Sequence, residues 1–117
     1  MTPTQSIIAF NKERNLTEFV GEAELRMLEE ELQELKDAIA ANDTDGIIDA
    51  LNDLRILSTG GSWKMGQDPD LSLKQACKEI MSRKGTLDES TGKWMKDPNQ
   101  DPSTLYKADY SLSRRKV

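Results

Sequence analysis

Residues 25–57 read LRMLEEELQELKDAIAANDTDGIIDALNDLRIL, and the spacing of their apolar positions decides the fold. Leu25, Leu28, Leu32, Leu35 and Ile39 recur at intervals of three and four, the period that sets them along one stripe of an α-helix. From Leu16 to Ala41 there is no proline, and the one glycine, Gly21, stands near the start. A helix therefore runs through this stretch, beginning either behind a Thr17 cap or at Gly21. Asn42-Asp43-Thr44-Asp45-Gly46 is a turn rich in capping residues, short enough to send the next helix back antiparallel. That helix covers about Asp45–Leu57 and is expected to continue through Ser58-Thr59-Gly60-Gly61 to about Trp63, the small residues admitting a close neighbour.

The flanks extend the pattern. Thr2-Pro3-Thr4 followed by Ile7, Ile8 and Phe10 predicts a short first helix, and Asp68-Pro69-Asp70 opens a fourth that carries Leu71, Leu73, Ala76, Cys77, Ile80 and Met81 up to Gly85. Residues 86–117 mix turn signals with both tyrosines and Trp94 and have no helical period. One or two short extended pieces around a turn at Ser90–Gly92 are expected there. The prediction is an all-α fold, an antiparallel bundle of about four helices with a helical core at about 4–85 and an irregular tail. A chain of 117 residues, 36% hydrophobic and 32% charged, fits one domain over 1–117.

Charge is unevenly distributed. Residues 1–60 hold 5 Lys/Arg and 13 Asp/Glu, whereas residues 61–117 hold 11 and 8. An acidic first half argues against a duplex-DNA surface, and no stable nucleic-acid partner is expected. It suits a cation site. Histidine is absent, which removes the commonest general base and transition-metal ligand. The single cysteine, Cys77, can form no internal disulfide, no apolar run is long enough for a membrane span, and MTPTQSIIAF lacks the features of a signal peptide. A cytoplasmic protein with no membrane partner is expected.

At about 100° per residue, Glu31 falls beside the leucine stripe, with Glu34 next to it and Glu30 one turn behind Glu34. Glu29 lies on the opposite flank. A Glu-rich helix is ordinarily a solvated face, but the following helix changes the weighting. Ile47–Leu57 is apolar on more than one side, so Asp49 and Asp53, four residues apart, stack on one flank between Ile56 and Leu57. Two aspartates inside a helix repel and lower its stability. Partly buried carboxylates are tolerated when paired or bound to a metal, and Arg55 points elsewhere. Antiparallel packing brings Glu30, Glu31 and Glu34 opposite Asp49 and Asp53, an all-oxygen set suited to Mg2+.

The runs Glu30-Glu31-Leu32-Gln33-Glu34-Leu35 and Asp49-Ala50-Leu51-Asn52-Asp53-Leu54 resemble the paired acidic motifs of MazG-like nucleotide pyrophosphohydrolases, in the all-α nucleoside triphosphate pyrophosphatase superfamily. The resemblance covers about Leu25–Lys84 and extends loosely into the tail, which is similar to compact versions carried by bacteriophages. It implies a helical bundle, usually oligomeric, that binds Mg2+, with Mn2+ as the alternative ion. The implied reaction splits a nucleoside triphosphate between its α and β phosphates, giving the monophosphate and pyrophosphate.

Carried onto this chain, the resemblance makes Glu31 and Glu34 the first acidic pair, preceded by Glu30, and Asp53 the closing aspartate. Asp49 stands in for an acidic residue one turn earlier; many relatives have glutamate where this chain has Ala50. Metal ligands would be Glu31, Glu34, Asp49 and Asp53, and Glu30 or Glu31 would take the proton of the attacking water. Arg83 and Lys84 resemble phosphate-facing residues of relatives, with Lys93 or Lys96 adding charge and Asn52 contacting the nucleotide. Trp63, Trp94, Tyr106 and Tyr110 are candidates for stacking on the base, against a packing role. The Arg114-Arg115-Lys116 run reads as a solvated tail.

A phosphoribosyl-ATP pyrophosphohydrolase would share the same acidic helices. A non-catalytic helical interaction module is the other alternative, and it would be indifferent to Mg2+. With 5% aromatic residues a monomer has a thin core, which together with the resemblance points to a homo-oligomer, dimer or tetramer.

Overall fold

The computed structural model describes residues 1–116. Four helices, α1 (Pro3–Glu13), α2 (Gly21–Ala40), α3 (Thr44–Lys64) and α4 (Pro69–Ser82), are followed by a hairpin of β1 (Gly85–Asp88) and β2 (Lys93–Lys96), then a 3-10 turn at Pro102–Thr104. The all-α bundle expected from the sequence is the observed architecture.

Three of the four helix starts have a side-chain cap. Thr2 and Gln5 form a reciprocal capping box on α1. The Asp68 carboxylate accepts from the amides of Asp70 and Leu71, with Pro69 in the first turn of α4. Asp43 caps α3 by accepting from the Gly46 amide, and a Cβ at Gly46 would sit 2.5 Å from an Asp43 carboxylate oxygen. Glycine is what lets that cap close. The α2 helix begins behind Val20 with no side-chain cap, so Gly21, and not Thr17, marks its start.

The dominant packing is α2 against α3, across a turn in which Asn42 takes φ 51°. The α3 helix runs unbroken through Gly60-Gly61, and α1 lies close there: a Cβ on Gly60 would meet the Asn11 amide nitrogen at 2.9 Å. Trp63, Ala50 and Pro69 are buried. The stripe on α2 is only partly covered, since Leu25 is 57%, Leu32 45% and Ile39 55% exposed. An apolar stripe identifies a face that wants covering; it does not say that the same chain covers it.

The tail contains the two short extended pieces expected around Ser90–Gly92. β1 and β2 pair antiparallel with Leu87 opposite Trp94, around a turn in which Gly92 has φ 72°. The chain then straps along α4: the Tyr106 amide donates to the Ser82 hydroxyl at 2.8 Å and the Ala108 amide to Glu79 at 2.9 Å. It ends on the α3–α4 elbow, where the Asp68 amide donates to the Ser113 carbonyl and the Arg115 amide to the Gly66 carbonyl. Ser113 is fully buried. The Arg115 guanidinium lies 4.7 Å from the Trp63 ring centre and donates to the Trp63 carbonyl. Arg115 is therefore a packing residue, its planar cation lying on an aromatic face and adding a donor to a helix-end carbonyl that also accepts from the Gly66 amide.

Candidate active site

Across the α2–α3 interface, Glu31, Glu34 and Asp53 each direct a carboxylate oxygen to one place, with the three oxygens within 4.8 Å of one another. Glu31 and Asp53 are half-buried, Glu34 exposed. One oxygen of Glu31 is buried and without a hydrogen-bond partner. Among the described residues no Lys or Arg forms an ion pair with any of the three. Three crowded carboxylates with no cation are unfavourable unless a proton or an ion is taken up. Burial raises the Glu31 carboxyl from 4.5 to about 7, helped by hydrogen bonding with Glu34 and by the neighbouring Asp53 charge.

Hard oxygen donors, like charge and an orphaned buried oxygen suit a hard divalent cation such as Mg2+. A pH effect follows for the metal-free protein. Folded Glu31 keeps its proton where the unfolded chain has lost it, so the stabilisation is full below 4.5 and is lost as pH rises through about 7. In a chelator, the melting temperature should fall between about pH 5 and pH 8, and Mg2+ at pH 8 should restore it. A Glu31→Gln variant that kept the same slope would contradict this.

The other sequence-predicted residues lie variously. Glu30 and Asp49 are exposed and lie outside the converging group. Ala50, three before Asp53, is 2% exposed, so a buried methyl and not a carboxylate stands at this position of α3. Asn52 is exposed on α3 and Lys93 exposed on β2. Arg83 is tied to Glu79 at 2.7 Å. Glu79 in turn is held below the usual carboxylate range by the Ala108 amide and then by Arg83. In this structure Arg83 therefore secures the tail strap. Lys84 is exposed, its amide donating to Gln100.

One buried ion pair leaves little trace in the sequence. Glu24, 6% exposed, meets Lys64 at 2.5 Å, both side chains nearly removed from solvent. Glu24 is two turns before Glu31 on the α2 face turned to α3. That seven-residue interval was the available signal.

A family model described as phosphoribosyl-ATP pyrophosphohydrolase matches residues 9–84, more than half of the chain. The chain belongs to the phosphoribosyl-ATP pyrophosphohydrolase family. Members of this family are pyrophosphohydrolases that act on a nucleotide and typically depend on a divalent metal. No curated protein and no solved structure gives a significant match. The phosphoribosyl-ATP pyrophosphohydrolase match contains both acidic helices, and thus Glu31, Glu34 and Asp53. Among the described residues no helix is long and apolar enough to cross a membrane.

Proposed function

We propose that this chain is a Mg2+-dependent nucleoside triphosphate pyrophosphohydrolase that cleaves the α–β phosphate bond of ribo- or deoxynucleotides. The observation that carries this reading is the convergence of Glu31, Glu34 and Asp53 around an unpartnered buried oxygen. A merely solvated acidic ridge, as in an interaction module, would not hold such an oxygen out of water.

In this reading Glu31, Glu34 and Asp53 hold Mg2+ or Mn2+, and Asp49 is at most an outlying charge. The bound ion supplies positive charge against the polyphosphate and acidifies water. Glu30 is exposed one turn before Glu34 and is assigned the proton of the attacking water, with Glu31 as the second candidate. Water oxygen bonds to phosphorus, the α–β bridging P–O bond breaks, and pyrophosphate leaves. Lys84 and Lys93, both exposed, are the proposed cations for the leaving group. The helical core and tail are proposed to act as one domain, since the strap is hydrogen-bonded to α4 and to Gly66.

The matched family name favours phosphoribosyl-ATP as the second reading. Pyrophosphate release measured with Mg2+ across the ribo- and deoxynucleoside triphosphates and phosphoribosyl-ATP separates the two. Turnover of a simple triphosphate supports the first. Turnover of phosphoribosyl-ATP alone replaces it, and release from none would sink the catalytic reading.

Homo-oligomerisation, as dimer or tetramer, is part of the proposal. Ile48 and Leu51 on α3, with Leu25, Leu32 and Ile39 on α2, are about half exposed in the single chain, more apolar helix surface than a monomer ordinarily leaves in water. Light scattering should give two or four times the 13.2 kDa protomer mass. A monomer at working concentration would contradict it.

A further inference from the structure

The carboxylates lie between two ends of the α2–α3 hairpin that are held in different ways. At one end the short turn at residues 41–43 joins the helices covalently, with Asn42 at φ 51°. At the other, α2 starts without a side-chain cap, and Glu24 meets Lys64 in an ion pair whose side chains are 8% and 9% exposed. The spacing is matched on the two helices. From Glu31 back to Glu24 is seven residues, about 10.5 Å of helix rise, and from Asp53 on to Gly61 is eight, about 12 Å. Glu24 accordingly lies beside Gly61, where an added Cβ would stand 3.6 Å from its carboxylate oxygen, and Lys64 reaches back from about one turn further on.

Between these ends the helices repel. Glu31, Glu34 and Asp53 bring like charge to one place, with no Lys or Arg paired to them among the described residues. The apolar stripe of α2 opposes this weakly, being about half exposed at Leu25, Leu32 and Ile39. It is also non-directional. Leu25, Leu32 and Ile39 repeat every seven residues, as do Leu28 and Leu35, so apolar contact survives a small slide or roll of α2. A buried ion pair does not survive it, because its two ends must meet at one point or leave a charge unpaired out of water. Such pairs add little stability over apolar packing, and fixing register is their best-attested use.

We propose that Glu24 and Lys64 are positioning residues, a clamp that sets the register and separation at which Glu31, Glu34 and Asp53 come together to receive an ion. This rests on the reading of the three carboxylates as an ion site. The turn holds one side of the site and the pair holds the other. Glu24 stands outside the converging group, so the clamp acts through the placing of the two helices and not by ligation.

The test replaces the pair by apolar side chains, Glu24→Met with Lys64→Leu, or Glu24→Gln with Lys64→Met should the first misfold. In the folded variant Mn2+ affinity should fall about 10- to 100-fold, the loss usual when residues behind metal ligands are removed, while the melting temperature stays near that of wild type. A second readout needs no metal. Spin labels on cysteines introduced at Glu29 and Arg55, both exposed, in a Cys77→Ser background, should give a longer or broader distance once the pair is replaced. Wild-type Mn2+ affinity in a folded variant would overturn the inference. So would lower affinity at an unchanged distance, because the pair would then act through its charge and not by placing the helices. If wild type binds no Mn2+, yet the distance changes when the pair is replaced, the ion-site reading fails and the clamp stands.

Discussion

On the proposed reaction, Asp53→Ala and Glu34→Ala should each lower pyrophosphate release by on the order of 100-fold or more, because a divalent ion held there would contribute several kcal/mol of charge stabilisation that incomplete ligation forfeits. The same variants should not melt earlier than wild type in a chelator. Asp53 and Glu34 both press like charge on Glu31, and removing either relieves repulsion that no cation offsets among the described residues. Function and stability therefore move in opposite directions, which a structural role would not produce. Retained activity in both variants would sink the site assignment; lost activity with an early melt would recast these residues as packing elements.

The second large effect concerns the folded state. Glu24→Ala removes the carboxylate beside Gly61 and leaves the Lys64 ammonium almost fully buried with no counter-charge. Breaking a buried pair from one side costs about 3–5 kcal/mol, which for a chain of this size lowers the melting temperature by more than about 10 °C. Lys64→Ala should behave alike. Replacing both together, Glu24→Met with Lys64→Leu, should recover most of the loss, because the penalty lies in the unpaired charge more than in the missing attraction. Single variants costing under about 1 kcal/mol would show that water reaches the pair. Since Glu24 stands on the α2 face that also carries Glu31, the pair is placed to fix how far along α3 the carboxylates of α2 come to rest.

The helical hairpin was legible because its information is periodic and local: the leucine spacing of α2, the Asp43 and Asp68 caps, and glycine at 46, where the cap leaves no room for a Cβ. Glu31, Glu34 and Asp53 were placed together by the same period. The sequence also puts Asp49 beside them, because α3 is apolar on more than one side and its helical wheel has no single origin. In the fold the buried Ala50 sets that origin, leaving Asp49 in solvent. Glu24 was hidden among other glutamates, its partner forty residues away. The hairpin of the tail was legible from the turn at Ser90–Gly92, but the way the tail is held to the helices was not, for a different reason. Its attachment uses side-chain-to-backbone bonds at Ser82, Glu79 and Gln67 and a cation over Trp63, none of which leaves a repeating pattern. The exposed Leu25, Leu32 and Ile39 mark the limit of periodicity, which identifies an apolar face but not the chain that covers it.

The central claim, that the α2–α3 carboxylates form an ion site, is tested most directly by titrating Mn2+ into the purified protein and following the free ion by electron paramagnetic resonance. Wild type should remove Mn2+ from solution saturably, Mg2+ should compete, and folded Asp53→Ala should bind far more weakly. Equal Mn2+ binding by wild type and folded Asp53→Ala would contradict the account.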